Sequence, residues 1–103
     1  MLYTNLDSNT KIKRKLGDPL ELECKAEAIP HANTEWLKDD VKVEPSKKAY
    51  FNEDGSKLTI PNLYLEDDGT YRCIVANRLG QIESSVTVKI TSEFYRKTNN
   101  IPS

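Results

Sequence analysis

The chain has 103 residues, of which 37% are hydrophobic and 30% are charged, and its formal net charge is −1. This length and composition predict one domain with a small hydrophobic core. A net charge near zero gives no general attraction to nucleic acids or acidic membranes, so we predict no nucleic-acid partner. No apolar run approaches the roughly 20 residues of a transmembrane helix, and we expect membrane contact only through other domains of a parent protein.

The first quarter of the chain predicts two strands. Residues 1–16 are polar with scattered apolar positions, a pattern that suits an edge strand in two pieces. The second piece contains a short basic run, made of Lys11, Lys13, Arg14 and Lys15. After a turn at residues 17–19, apolar side chains alternate with charged ones over residues 20–26, which is typical of a half-buried strand.

Four short strands are predicted in the middle of the chain. We expect them at residues 34–38, 41–43, 50–52 and 58–60. Asp39-Asp40 is predicted to be the turn between the first two, and Asp54-Gly55 is typical of a hairpin before the last. Only 21 residues separate Trp36 from Leu58, which leaves little room for a further pair of strands.

Two longer strands complete the predicted elements. Residues 70–76 place alternate side chains, including Tyr71 and Cys73, on one face. Gly69 precedes them because a tight turn needs positive φ, which glycine adopts without steric cost. After a turn at residues 77–80, one face of the last strand carries Ile82, Ser84, Val86, Val88 and Ile90. We expect the domain to cover residues 1–91 and residues 92–103 to form a polar tail or linker.

The order and spacing of a few residues carry the fold assignment. Cys24 precedes the only tryptophan, Trp36, by twelve residues, and Asp67-Asp68-Gly69-Thr70-Tyr71-Arg72-Cys73 ends in the second of two cysteines. The segments Leu58–Leu63 and Cys73–Gly80 add further matches. Together these positions resemble the intermediate-type (I-set) immunoglobulin domains. The resemblance implies an all-β fold, a Greek-key immunoglobulin-like β-sandwich of two antiparallel sheets.

The resemblance also implies a cross-linked core. Cys24 and Cys73 would form a disulfide between the two sheets, with Trp36 packed against it and Leu58 in the core. Closing a loop of roughly 50 residues stabilises a domain by on the order of 4 kcal/mol in the chain-entropy model. A cysteine pair of this kind favours an oxidising compartment.

Two further residues receive structural roles from the family pattern. Tyr71 would be the tyrosine corner, with its hydroxyl donating to backbone upstream. Asp67 would pair with a basic residue near the start of the third of the short strands, for which Lys48 is the first candidate and Lys47 the second. Neither role involves chemistry on a substrate.

An enzyme or a metal site is not expected. His31, the only histidine, lies in a predicted loop, and a general base needs a nucleophile and an orienting carboxylate beside it. Asp39-Asp40 and Glu66-Asp67-Asp68 are acidic, but aspartate is favoured at turns in any case, so we favour solvated turns over calcium sites. Zinc would lack ligands, and we predict no cofactor.

Members of the I-set family occur in cell-adhesion molecules, receptor ectodomains and giant muscle proteins. The resemblance implies a non-enzymatic protein-recognition or adhesion module of an extracellular multi-domain protein, with a homophilic or heterophilic protein partner. The alternatives are an intracellular structural domain of a titin- or twitchin-like muscle protein, with reduced thiols, and a growth-factor receptor domain assisted by heparan sulfate.

Two surfaces are candidates for binding. If Trp36 and Cys73 face inward, an apolar centre flanked by charges faces outward on neighbouring strands, and we predict protein binding there. Its residues are Glu35, Leu37, Arg72 and Ile74. The basic run at residues 11–15 is a weaker candidate for heparan sulfate, because lysines on an edge strand also discourage pairing between sheets.

Overall fold

The computed structural model describes residues 2–4, 10–24, 26–28 and 32–92. The strands within these ranges are β1 (Leu2–Thr4), β2 (Thr10–Lys15), β3 (Leu20–Glu23), β4 (Ala26–Ala28), β5 (Asn33–Lys38), β6 (Val41–Lys42), β7 (Tyr50–Phe51), β8 (Lys57–Ile60), β9 (Gly69–Asn77) and β10 (Gly80–Thr91). A single turn of 3₁₀ helix covers Leu65–Asp67. Within the described residues, no helix is long and apolar enough to cross a bilayer.

The strands form a β-sandwich, as predicted. One sheet has five strands in the order β2-β10-β9-β5-β6, and the facing sheet has three in the order β3-β8-β7. Strands β1 and β4 form a separate antiparallel pair. The remaining pairings are antiparallel too, except that β2 runs parallel to β10, with Lys13 beside Lys89. This parallel pairing is a departure from a purely antiparallel pattern, and it joins the second strand of the chain to the last.

The core lies between the two larger sheets and follows the predicted alternation. Trp36 is 2% exposed and lies opposite Cys73, and the disulfide from Cys73 to Cys24 joins the sheets with an S–S distance of 2.04 Å. The Trp36 indole N–H donates to the backbone oxygen of Gly55 at 2.8 Å, so its one polar atom is satisfied. Among the described residues, the other large side chains that are fully buried are Leu20, Leu58, Leu63, Tyr71, Val75, Val86 and Val88.

The predicted turn at Asp39-Asp40 is present, and one predicted strand differs in its extent. The strand expected over residues 20–26 ends at Glu23 as β3, and a separate strand, β4, begins at Ala26. Between them, the Cys24 N–H donates to Ser56 O. Leu16 is 43% exposed and lies in the turn after β2. The turn after β5 holds Asp39 at φ 49° and Asp40 at φ 70°, the positive values that two-residue hairpin turns require and that aspartate tolerates. His31 and most of the predicted tail lie outside the described residues.

Candidate functional site

A buried network of hydrogen bonds and one ion pair holds the start of β9 in place. The Tyr71 hydroxyl donates to the backbone oxygen of Asp67 at 2.7 Å, the geometry expected of a tyrosine corner. Burial, followed by the nearby Asp67 charge, raises the pKa of Tyr71 well above its usual value, so the hydroxyl keeps its proton and remains a donor. The Asp67 carboxylate lies 2.6 Å from Lys48 Nζ and accepts from the Tyr64 N–H at 2.7 Å.

Lys48 contacts both Asp67 and Tyr64. Its ammonium group also lies 3.8 Å from the centre of the Tyr64 ring, a cation–π contact. Asp67 is only 5% exposed, and a buried carboxylate is stable in this position because it is both paired with a cation and hydrogen-bonded. Lys47, the second candidate partner, is exposed. These contacts support the scaffold.

The turn between β5 and β6 is tied to the start of β9. The Thr70 N–H donates to the Asp39 carboxylate at 3.0 Å, and the Asp39 N–H donates to Thr70 O at 2.9 Å. The hydrogen bond from Thr70, assisted by Lys38, holds the pKa of Asp39 below its usual value. Gly69 passes so close that an added Cβ would lie 2.6 Å from Asp39 Oδ2. The turn is therefore rigidly placed against the sheet.

The outer face is the side of the five-stranded sheet that points away from the core. Trp36, Tyr71 and Cys73 are buried, so the residues between them point outward. The structure places all four predicted binding residues on this face, here called the central patch: Glu35, Leu37, Arg72 and Ile74.

The register of β5 and β9 sets the pattern of the central patch. Glu35 lies opposite Ile74 and Leu37 lies opposite Arg72, so the two apolar side chains are diagonal neighbours rather than directly opposed. Diagonal neighbours in an antiparallel pair are about 7–8 Å apart, within reach of long side chains. Leu37 and Ile74 are both half-buried.

Ion pairs close the central patch on two sides. Lys42 Nζ lies 3.5 Å from Glu35 Oε2, and Arg72 Nη2 donates to Asp40 Oδ1 at 3.0 Å. Sequence reasoning did not assign Lys42 or Asp40 to this site. The two-residue turn at Asp39-Asp40 contained the signal, because it sets Lys42 opposite Leu37 on the same face. On the other side, Glu83 of β10 lies opposite Ile74.

An open groove of about 680 Å³ borders the central patch and runs around the edge of β5. Its rim is predominantly acidic, and its walls include apolar side chains. The charged rim residues are Glu35, Lys42, Glu44, Glu53 and Asp54, and the apolar ones are Val43, Pro45, Phe51, Ile74 and Ala76. A ligand that extends over the edge of the sheet would meet carboxylates around an apolar strip.

The basic run divides between the two faces of β2. The register with β10 puts Lys11, Lys13 and Lys15 beside Thr87, Lys89 and Thr91, whose neighbours Val88 and Ile90 are buried. These three lysines therefore point to the outer face, and all are exposed. Arg14 points to the other side, and its guanidinium donates to the Lys13 backbone oxygen at 2.8 Å.

The acidic turns that sequence reasoning weighed as calcium sites have protein partners. Asp40 is paired with Arg72 and Asp67 with Lys48, while Asp68 Oδ2 accepts from the Ile90 N–H at 2.9 Å. Across residues 2–4, 10–24, 26–28 and 32–92, no group of three or more His, Cys, Asp or Glu side chains is arranged to hold a metal ion.

Comparison with known proteins decides the family. The sequence pattern of the Immunoglobulin I-set domain family matches residues 6–90, which is most of the chain. The chain belongs to the immunoglobulin I-set family. Its fold agrees, since an I-band fragment of titin superposes with a TM-score of 0.77 at 27% identity, covering 88% of this chain and 33% of that one.

Curated relatives of this I-set domain include both muscle and adhesion proteins. The muscle M-line assembly protein unc-89 of Caenorhabditis elegans is 35% identical over 84% of the chain, and neural cell adhesion molecule 1 of Bos taurus is 34% identical over 73%. The matched region spans 1% of the first relative and 9% of the second. The I-set domain thus corresponds to one small module of much larger proteins.

Proposed function

We propose that this I-set domain is a non-enzymatic protein-recognition module of an extracellular multi-domain protein, and that it binds a protein partner through the central patch. One observation carries the proposal: two apolar side chains, Leu37 and Ile74, share the outer face of a rigid sheet and are ringed by charges. Apolar centres with polar rims are typical of protein–protein interfaces.

The rigidity of the central patch supports this role. Strand β9 lies in the middle of the sheet, is cross-linked through Cys73 and is anchored at its start by Tyr71. Side chains held on rigid elements lose little conformational entropy when a partner binds. The central patch is therefore well placed to contribute binding free energy.

Charge indicates the chemistry of the partner. The groove beside the central patch has four carboxylates and one lysine on its rim, and Lys42 is already paired with Glu35. We infer a partner surface with an apolar centre and a basic border, because complementary charges steer association and exclude other partners.

The extracellular location is supported by the disulfide and by the adhesion relatives. The second candidate is an intracellular filament domain, which the similarity to unc-89 and titin favours. Intact-mass measurement after alkylation of material from native cells separates the two locations. A bridged pair supports the extracellular proposal, and two alkylated thiols contradict it.

The binding site is tested with charge substitutions. A dimeric fusion of the domain is applied to cells, before and after trypsin treatment of the cell surface, and bound fusion is quantified. The variant Leu37→Asp with Ile74→Asp should lose at least tenfold in affinity, because burying new carboxylates at an apolar interface centre is costly.

A matched control carries the same change elsewhere. Leu65 is 54% exposed and Leu79 is 70% exposed, and neither lies in the central patch. Leu65→Asp with Leu79→Asp should bind like wild type, and both variants must keep the wild-type melting temperature. Binding that survives in the first variant would show that the site is assigned wrongly, and binding that survives trypsin would show that the partner is not a protein.

A further inference from the structure

We propose that strands β2 and β10 form a second binding site, for a linear sulfated polysaccharide. The site is the lysine row, consisting of Lys11, Lys13, Lys15 and Lys89. The parallel register puts Lys13 directly beside Lys89, with Lys11 and Lys15 two residues away on either side. All four side chains are exposed on the outer face, so one strand supplies three cations and its neighbour a fourth.

The lysine row has the dimensions of a linear track. A parallel strand rises about 3.3 Å per residue, so successive lysines of β2 are about 6.6 Å apart and the three span roughly 13 Å. The neighbouring strand lies about 4.8 Å away. A compact anion needs donors that converge in a concave site, whereas a flat row of cations matches a chain that repeats its negative charges.

Three of the four charges in the lysine row are uncompensated within the described residues. In the part of the chain that the structure describes, the ion pairs leave Lys11, Lys13 and Lys89 without a carboxylate partner. The carboxylate of Asp68, near the end of β10, already accepts from the Ile90 N–H. Like charges side by side destabilise a sheet, so Lys13 beside Lys89 weakens the free domain.

Protection of the sheet edge does not explain why Lys89 lies beside Lys13, a pairing that destabilises the free domain. Lysines on an edge strand discourage pairing with other sheets, and β2 is the edge strand here. Lys89, however, lies on β10, which is covered on both sides by β2 and β9. Its placement beside Lys13 strengthens the positive potential without protecting an edge, which favours a role in binding an anion.

The polysaccharide is favoured over a nucleic acid because of the compartment. That choice rests on the extracellular location proposed above, where sulfated polysaccharides are the abundant linear polyanions. The lysine row itself does not depend on that location. Reduced cysteines in native cells would therefore overturn the location while heparin binding still tested the row.

The test uses heparin oligosaccharides of defined length, with affinity measured by titration calorimetry at several salt concentrations. Lys13→Gln with Lys89→Gln is compared with Lys42→Gln with Lys47→Gln, which changes the net charge equally. Each surface lysine near a polyanion is worth about fivefold in affinity. The first variant should therefore bind more than tenfold more weakly, and its salt dependence should fall by about two released counterions. Its melting temperature should rise slightly, because Lys13 no longer faces Lys89.

The control variant should retain affinity within about twofold. Equal weakening in both variants would show that only general charge matters, and would overturn the site. Single-stranded DNA of equal charge, and vesicles containing phosphatidylserine, are titrated in parallel. Tighter binding to either of these than to heparin would overturn the assignment to a sulfated polysaccharide.

Discussion

At the scale of single residues, Tyr71 shows how one buried hydroxyl holds a strand in place. Its ring is part of the core and its hydroxyl donates to Asp67 O. Tyr71→Phe keeps the ring and leaves that oxygen unpaired. We expect the free energy of unfolding to fall by about 0.5–1.5 kcal/mol, or somewhat more if water cannot reach the oxygen. Urea denaturation measures this, and an unchanged midpoint would show that the bond contributes nothing.

Gly69 and Asp39 form a second coupled pair of residues. Gly69 has φ +155°, and an added Cβ would meet Asp39 Oδ2, which cannot simply rotate away while Asp39 accepts from the Thr70 N–H. Gly69→Ala should therefore lower the free energy of unfolding by about 1–3 kcal/mol. Part of this loss is steric and part is backbone strain.

A double-mutant cycle separates the two contributions. Asp39→Gly removes the obstructing carboxylate and suits φ 49°, at a cost of about 1 kcal/mol for the lost hydrogen bond. In that background, Gly69→Ala should cost at least about 0.5 kcal/mol less than in wild type. Strict additivity in urea denaturation would mean that Asp39 does not restrict position 69.

At the scale of elements, the disulfide between Cys73 of β9 and Cys24, just after β3, cross-links the two sheets. It joins residues 49 positions apart, so removing it restores conformational freedom to the unfolded chain. We expect Cys24→Ala with Cys73→Ala to lower the free energy of unfolding by about 2–5 kcal/mol. Reduced wild type should show a similar loss. A loss in the double variant but not in reduced wild type would point to the cavity beside Trp36 rather than to the cross-link.

The elements also show which parts of the structure the sequence could predict. Alternation along β5 and β9 identified the inner and outer faces and so put Leu37 and Ile74 on the same face, while the family resemblance supplied the pairing of the two strands. Alternation is a local signal and needs no knowledge of the pairing. The two-residue turn at Asp39-Asp40 likewise fixed the register between β5 and β6.

Pairing between distant strands could not be predicted in the same way. The register of β2 against β10 joins residues more than seventy positions apart, and no local pattern specifies it. For that reason the sequence showed a basic run at residues 11–15 but not its extension by Lys89. Sequence reasoning also treated Arg14 as part of the same basic surface as the three lysines, whereas the register places Arg14 on the opposite face of β2.

At the scale of the whole molecule, the outer face is divided by charge. The lysine row occupies one end, while Glu35 and Glu83 lie in line with Ile74 toward the other. Along β10, Lys89 lies six positions after Glu83, a distance of about 20 Å. The face therefore has a basic end and an acidic region separated by more than a Debye length at physiological salt.

This separation predicts that the domain holds a polysaccharide and a protein partner at the same time. Leu37→Asp with Ile74→Asp should leave the affinity for heparin unchanged within about twofold, since neither site residue lies in the lysine row. Lys13→Gln with Lys89→Gln should bind heparinase-treated cells like wild type, because the central patch is intact. The decisive measurement adds a short heparin oligosaccharide to the fusion protein already bound to such cells. Bound fusion should stay constant across the titration, whereas its release in proportion to heparin occupancy would mean that the two ligands compete for one overlapping surface.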